Sequence, residues 1–200
     1  MLRAAATLLA SVDAPQAVSM DDIAAAAGVG KGTLFRGFGS RDGLLDAVFA
    51  ARLEPLRAEV ERAGSPVGPE AQAEERVVAL LSLLLDFKLD NPRLVAAREL
   101  NGSELLRAPH YQWVHALLRT LIEETGASPA SADYRAHLLL NGLRADLVTE
   151  LKRNGMTREQ LHQVLTTTVH QLLRASPRGA YRDPRAAPEV DDPDAHANGL

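Results

Sequence analysis

Four side chains that can bind a phosphate or a base edge lie close together in the first quarter of the chain. They are Lys31, Thr33, Arg36 and Arg41, and no acidic residue occurs between Gly28 and Arg41. Cationic and hydroxyl groups of this kind make hydrogen bonds to anionic oxygens. Because the chain as a whole has a net charge of -4, this local positive charge indicates one small nucleic-acid contact surface rather than a protein that coats nucleic acid.

These side chains can face DNA only if a folded segment presents them on its surface. The neighbouring residues predict such a segment, namely two short helices joined by a tight turn. Ser19 is suited to be the N-cap of the first helix, Ala24 allows a close helix crossing, and Gly28 can adopt positive φ in the turn. The apolar contacts would come from Ile23, Ala27, Val29 and Leu34. This spacing is typical of a helix-turn-helix, whose second helix is free to enter a major groove.

The glycine-rich segment at 28–33 can also be compared with nucleotide-binding loops, since Gly30 and Gly32 let a backbone approach a phosphate closely. A Walker-type loop needs glycine where Ala25 stands and Ser or Thr where Gly32 stands. The dinucleotide fingerprint needs glycine at Thr33 and a preceding strand. Both comparisons fail. The remaining alternative is a helical corner without a DNA role, which would leave the local excess of positive charge to coincidence.

Helical periodicity extends over most of the 200 residues, and no segment shows the alternation typical of strands. With 46% apolar residues and no cysteine, the chain has the composition of a globular protein. We therefore predict an all-α fold with a helix-turn-helix domain over 1–47, a helical domain over 48–176 and a disordered tail over 177–200. The absence of a signal peptide and of a bilayer-length apolar run favours a cytoplasmic protein without membrane partners.

The order Ile23-Ala-x-x-Ala-Gly-Val-x-x-Gly-Thr-Leu-aromatic, followed by Phe38-x-Ser-basic, resembles the DNA-binding domain of the TetR/AcrR family of bacterial transcriptional regulators. The resemblance implies three N-terminal helices that read an operator, and a C-terminal helical domain that dimerises and binds a small effector. By position it assigns DNA contacts to Ser19, Gly30, Lys31, Gly32, Thr33, Phe35, Arg36 and Arg41. Phe35 takes the family's usual tyrosine position, and Arg41 takes that of a common lysine.

The function implied by this resemblance is that of a repressor that binds a near-palindromic double-stranded DNA operator as a homodimer and is released by a small molecule. The alternative is a helical small-molecule-binding protein of the same fold with weak or lost DNA binding. Two departures support the alternative, because Phe35 lacks the tyrosine hydroxyl and Gly37 stands where a histidine is common. Each lost phosphate contact lowers the affinity for DNA and its dependence on salt.

Candidate ligand contacts in the C-terminal part are polar or aromatic residues on otherwise apolar helices, since ligand cavities are mostly apolar with few polar groups. They are Asp86, Phe87, Arg98, Asn101, Tyr111, Trp113, His115 and Tyr134. Each aromatic residue could instead pack in the core, and Asp86 could lie exposed near its helix end. Leucine stripes over 131–153 and 158–175 predict two long helices that form a four-helix bundle with a second subunit.

The spacing of the histidines does not predict a metal site. His110 and His115 are five residues apart, and His162 and His170 are eight apart, whereas two ligands on one helical face need a spacing of four. No nucleophile–base pair and no paired carboxylates indicate catalysis. We therefore expect no metal, no cofactor and no enzymatic activity.

Overall fold

The computed structural model describes residues 1–100 and 105–174. All regular secondary structure in these residues is helical. Asn101 and the predicted tail at 177–200 lie outside the described residues. The described α-helices are α1 (Leu2–Ser11), α2 (Met20–Ala27), α3 (Lys31–Phe38), α4 (Arg41–Glu61), α5 (Ala73–Asp90), α6 (Pro92–Glu99), α7 (Pro109–Glu124), α8 (Pro129–Asn141), α9 (Ala145–Arg153) and α10 (Arg158–Arg174), with short 3₁₀ turns at Pro15–Ala17 and Leu105–Arg107. The prediction of an all-α fold is confirmed.

The N-terminus of α2 is closed by a reciprocal pair of hydrogen bonds. The Ser19 hydroxyl accepts from the backbone N–H of Asp22 at 3.2 Å, and Asp22 Oδ2 accepts from the backbone N–H of Ser19 at 2.9 Å. The bond from the Ser19 backbone lowers the pKa of Asp22, whose charge lies at the positive end of the helix dipole. Gly28 ends α2 with a φ of +64°, which residues with a Cβ rarely adopt. The predicted cap and turn are confirmed.

The corner between α3 and α4 depends on a close approach that only glycine allows. α4 begins after Ser40, whose hydroxyl accepts from the backbone N–H of Gly43 at 3.0 Å. A Cβ built on Gly43 would lie 2.2 Å from the carbonyl oxygen of Phe38 at the end of α3. Gly43 therefore permits the tight corner that sets the direction in which α3 points.

One hydrophobic core runs through the described structure and joins its N-terminal and C-terminal parts. Ile23 and Leu34 bring α2 and α3 onto α4, where Leu44 and Leu45 are fully buried. α4 is continuous and also packs against α6 and α7. The predicted boundary between residues 47 and 48 lies inside this helix. α4 is consequently a continuous link between the helix-turn-helix and the rest of the chain, with Pro55 inside its second half.

Among the larger C-terminal helices, α8 packs on α7, α7 on α5 and α5 on α10. The prediction of one helix over 131–153 is wrong, because α8 ends at Asn141 and α9 begins at Ala145. Gly142 has low helix propensity, and the next two backbone N–H groups bond to carbonyls three residues back. Within the described residues, no helix combines the length and the apolar character needed to cross a membrane.

Candidate DNA-binding surface and ligand cavity

The second helix of the helix-turn-helix, α3, has one face in the core and the other in solvent. Leu34 is fully buried, whereas Gly32, Phe35 and Arg36 are exposed. Because positions 32, 35 and 36 are three and four residues apart, they share one helical face. Phe35 keeps 42% of its surface exposed, although phenylalanine usually packs inside proteins. This face can present a guanidinium and an aromatic ring to the bases and phosphates of DNA.

Lys31, at the start of α3, forms an ion pair with Asp21 of α2. Its Nζ atom lies 2.7 Å from Asp21 Oδ2 and 5.9 Å from the centre of the Phe35 ring. Both charged side chains are more than half exposed, at 54% and 62%. An exposed pair of this kind contributes about 0–1 kcal/mol, so Lys31 can exchange Asp21 for a phosphate at little cost. Thr33 is half-buried on the same helix, and Gly30 is the N-cap of α3.

Glycines occur in and beside α3 where the folded chain does not require them. Among the described residues, nothing lies within 4 Å of a Cβ built on Gly30, Gly32 or Gly37. Gly32 and Gly37 are the second and the next-to-last residues of α3, and glycine in a helix costs up to about 0.8–1.0 kcal/mol relative to alanine. Contacts within the described residues do not explain why glycine, with its cost in stability, occupies these positions. A helix without these side chains would let another molecule approach its backbone closely.

Arg41 has an internal role that differs from its predicted contact with DNA. Its Nε donates to the carbonyl oxygen of Val18 at 2.7 Å, and its terminal nitrogens donate to those of Pro15 at 3.0 Å and Ala97 at 3.3 Å. Burial lowers the pKa of Arg41. Because the guanidinium is directed at these three carbonyls, it joins the segment before α2 to α6 and is not part of the exposed face of α3.

A small cavity of about 50 Å³ lies among α4, α5, α7 and α8. It has a polar corner, where Lys88 Nζ lies 2.6 Å from Glu99 Oε1 and Glu99 Oε2 accepts from the backbone N–H of Ala145 at 2.9 Å. Burial raises the pKa of Tyr111 in the cavity wall, so its hydroxyl keeps its proton. The lining residues are Phe49, Leu53, Leu84, Phe87, Lys88, Glu99, Leu105, Leu106, His110, Tyr111, Val114, Leu140, Asn141, Leu143 and Arg144.

Two of the predicted ligand contacts, Phe87 and Tyr111, line this cavity. Asp86 does not, because its carboxylate pairs with Arg158 at 2.7 Å and with His162 at 2.9 Å in a partly exposed position. The alternative interpretation of Asp86, as an exposed residue near a helix end, agrees with the structure.

The other predicted ligand contacts are dispersed over the molecule. The guanidinium of Arg57 lies over the Trp113 ring at 4.4 Å, and Tyr134 is 69% exposed on α8. His115 lines a separate surface pocket between α7 and α8. Asn101 lies outside the described residues. The structure therefore does not bring these residues together with Phe87 and Tyr111 in one cavity.

A charged network joins α4, α6 and α7, and it includes Arg98, which is a predicted ligand contact but does not line the cavity. Arg98, which is 2% exposed on α6, donates from Nε to Asp46 Oδ1 at 2.7 Å. His110 Nδ1 lies 3.2 Å from the same oxygen without hydrogen-bond alignment, and its ring stacks on Phe49 with centres 4.5 Å apart. Burial acts to raise the pKa of Asp46, but His110 and Arg98 outweigh burial and hold that pKa below its usual value.

A helix-turn-helix with an exposed cationic second helix is the architecture of a DNA-binding domain. Here one continuous helix joins it to an all-helical part that contains a small cavity. Residues 2–48 match the family described as "Bacterial regulatory proteins, tetR family". The N-terminal part of the chain is therefore a helix-turn-helix DNA-binding domain of the TetR family of regulatory proteins.

Two transcriptional regulators and one solved structure are similar to the chain over most of its length. The HTH-type transcriptional regulator SAR0097 of Staphylococcus aureus (strain MRSA252) is 26% identical over 145 residues, which cover 70% of this chain and 75% of the relative. The HTH-type transcriptional regulator SrpR of Pseudomonas putida is 27% identical over 173 residues, covering 80% and 78%. A TetR transcriptional regulator from Rhodococcus sp. RHA1 shares the fold with a TM-score of 0.60 at 19% identity, covering 86% of this chain and 92% of that one.

Proposed function

We propose that this chain is a repressor that binds a near-palindromic operator as a homodimer and leaves it when a small, mostly apolar molecule enters the cavity. The observation that carries this proposal is the continuity of α4. Its first turn holds α3 through the close contact at Gly43, and its middle carries Phe49 and Leu53 into the cavity wall. A ligand that shifts α4 would therefore also shift the DNA-contacting face of α3.

Docking on DNA would place α3 in the major groove with its exposed face toward the bases. Lys31, Phe35 and Arg36 would contact base edges or phosphates, and the backbone at Gly32 would approach one strand. Ser19, exposed at the N-terminus of α2, would lie near a phosphate. The two α3 helices of a dimer would lie about one duplex turn apart, roughly 34–36 Å.

Large apolar side chains exposed on the C-terminal helices support the homodimer. Tyr134 and Leu138 of α8 are 69% and 48% exposed, Leu147 of α9 is 42% exposed, and Val164 of α10 is 51% exposed. Exposed apolar surface is a feature of protein–protein contact sites. A second copy of the chain would cover these side chains and hold two helix-turn-helix units at a fixed separation.

The size of the cavity suggests how an effector would cause release. About 50 Å³ is far less than the roughly 300–1,000 Å³ that binding sites for drug-sized molecules occupy. A drug-sized effector would therefore bind a wider conformation, and we propose that Phe49 and Leu53 on α4 move outward in it. Because a ligand shifts an equilibrium only through its preference for one state, this wider state would be the one with the wrong spacing for the operator.

The proposal predicts the outcome of selecting genomic DNA fragments with the purified chain. We expect the enriched fragments to share an inverted repeat whose half-site centres lie about one duplex turn, or a multiple of it, apart. Footprinting would show whether both half-sites are protected. Enrichment of a single half-site, or no enrichment over bulk DNA, would contradict the dimeric repressor.

A pair of variants separates the role of the dimer from that of the fold. Leu138→Glu combined with Val164→Glu places charges on the proposed interface, and we expect it to give monomers that no longer select the inverted repeat. Leu100→Glu is the matched control, because Leu100 is 47% exposed at the end of α6. Sedimentation velocity of the three proteins at one concentration would report the assembly state.

Gly32, the second residue of α3, gives a third prediction, in which stability and DNA binding change in opposite directions. Gly32→Ala is expected to raise the free energy of unfolding by up to about 1 kcal/mol, because alanine favours the helix. The added methyl group would stand between α3 and DNA, and we expect about a tenfold loss of affinity for the selected fragment, or about 1.4 kcal/mol. Urea denaturation and a gel-shift titration would measure the two effects. A stabilised variant with unchanged affinity would show that DNA does not approach Gly32.

A further inference from the structure

Three side chains that can bind a metal ion meet between α7 and α8, in a surface pocket separate from the apolar cavity. His115 comes from α7, and Asp133 and His137 come from successive turns of α8. One ligand atom from each residue lies within 4.8 Å of the other two. The rings of the two histidines stack with their centres 4.0 Å apart. The cluster thus brings two imidazole nitrogens and one carboxylate oxygen within 4.8 Å of one another.

The buried member of this cluster has one ring nitrogen without a hydrogen-bond partner. His115 is 8% exposed, and its Nε2 atom forms no hydrogen bond within the described structure. Oδ1 of Asp133 lies 3.5 Å away without hydrogen-bond alignment. Buried polar atoms in folded proteins nearly always have a partner, so an exception needs an explanation. An ion that accepts the lone pair of this nitrogen would provide one.

We propose that His115, Asp133 and His137 bind one divalent first-row transition-metal ion, for which zinc is the best match. Imidazole suits zinc, copper, iron and nickel, and a set of two histidines and one carboxylate is a common zinc ligand set. Ligand atoms at about 2.0–2.1 Å from a tetrahedral zinc ion lie roughly 3.3 Å from one another. Reaching that geometry requires the stacked rings of His115 and His137, which are inclined by 29°, to turn so that both lone pairs point at one ion. The site does not depend on the proposed repressor function.

Tyr111 supplies the second layer of contacts that a metal-binding imidazole needs. Its hydroxyl lies 2.7 Å from Nδ1 of His137. An imidazole that binds metal through one ring nitrogen donates the N–H of the other to an acceptor, and the Tyr111 oxygen would accept from Nδ1 of His137 when Nε2 binds the ion. Tyr111 is half-buried between the apolar cavity and this cluster, so its position is fixed by packing.

The charges around the cluster are compatible with a bound cation. Asp133 provides a negative charge and leaves an entry path, since its side chain is 49% exposed. Arg119 at the pocket edge pairs with Glu123 at 2.9 Å, which offsets its positive charge. The other lining residues, Gln112, Ala116 and Thr120, are uncharged.

The expectation that this chain has no metal site rests on the spacing of histidine pairs alone. Asp133 and His137 are four residues apart, which places two ligands of different type on one helical face. His115 joins them only because α7 packs against α8. The pairing of Asp133 with His137 can therefore be recognised from the sequence, whereas the contribution of His115 depends on the packing of α7 against α8.

Titration of the metal-free full chain with Zn²⁺, in competition with a chromophoric chelator, tests the site. We expect one tightly bound zinc ion per chain and a rise in melting temperature with zinc. Asp133→Asn and His137→Gln should each weaken zinc binding at least about 100-fold, and Tyr111→Phe about 10-fold. Co²⁺ should give visible absorption in the wild type that His137→Gln abolishes.

The matched control is His170→Gln, which removes a partly exposed histidine that pairs with Glu74 at 2.6 Å. This variant should bind zinc as the wild type does. Both Asp133 and His137 are at least partly exposed, so their variants should retain the melting temperature of the metal-free wild type. Zinc affinity unchanged in Asp133→Asn and His137→Gln, or reduced equally in His170→Gln, would overturn the proposal.

Discussion

Replacing Lys31 and Arg36 together by alanine is expected to weaken binding to the selected DNA fragment about 100-fold at fixed salt, or about 1.4 kcal/mol for each lost contact. Both side chains are exposed on or beside the outer face of α3. The Lys31–Asp21 pair is too exposed to contribute much to folding. Loss of phosphate contacts should also reduce the slope of log affinity against log salt by about 1 for each contact.

Gel-shift titrations at several salt concentrations would measure both the affinity and this slope. The matched control is Lys152→Ala with Arg153→Ala, which removes one lysine and one arginine from exposed positions at the end of α9. Both double variants change the net charge equally. If they weaken binding to the same extent, the net charge and not the α3 face governs affinity, and the assignment of α3 as the reading helix is wrong.

The parts of the fold that depend on near neighbours in the chain could be predicted from the sequence. The cap at Ser19, the turn at Gly28 and the burial of Leu34 each follow from residues only a few positions apart. The same is true of the all-helical architecture, since hydrophobic periodicity is a local property. The break after Gly142 shows the limit, because the leucine pattern continues through it while the backbone does not.

Features that depend on distant residues could not be predicted in this way. Arg41 occupies the position of a basic DNA contact, yet its guanidinium binds carbonyls 23 and 26 residues before it and 56 residues after it. Asp86 and Phe87 illustrate the same limit, since only Phe87 lines the cavity. Adjacent side chains on a helix differ in direction by about 100°. The sequence alone does not show which of two adjacent side chains faces the interior of the protein.

Asp46→Ala is expected to lower the free energy of unfolding by about 3–5 kcal/mol, which is the cost of removing one partner from a buried ion pair. Arg98, only 2% exposed, would lose the carboxylate that accepts from its Nε at 2.7 Å. Urea denaturation at one protein concentration would measure the change, because assembly also contributes to apparent stability. Asp90→Ala is the matched control, since Asp90 has a 60% exposed side chain and pairs with Arg158 at the surface, and its loss should cost about 1 kcal/mol or less.

The dependence of stability on pH separates the charge of Asp46 from its packing. Because the pKa of Asp46 is lower in the folded chain than its usual value, its contribution is complete above the unfolded pKa of about 3.9 and is lost as pH falls through the folded pKa. Asp46→Asn keeps the size of the side chain and removes this charge. We therefore expect a shallower loss of stability below about pH 4 in Asp46→Asn than in the wild type. Equal acid profiles would show that Asp46 is held by packing alone.

Asp46→Asn also tests whether a change beside the cavity alters the position of the helix-turn-helix. Asp46 lies on α4, two turns after α3 ends, and contacts His110 in the cavity wall as well as Arg98 on α6. If this network holds α4 in the DNA-binding position, Asp46→Asn should weaken binding to the selected fragment at near-neutral pH, where the wild-type carboxylate is charged. The variant keeps every exposed side chain of α3, so a loss of affinity would arise from the orientation of α4. Unchanged DNA affinity in a folded Asp46→Asn protein would show that the network stabilises the chain without setting the position of α3.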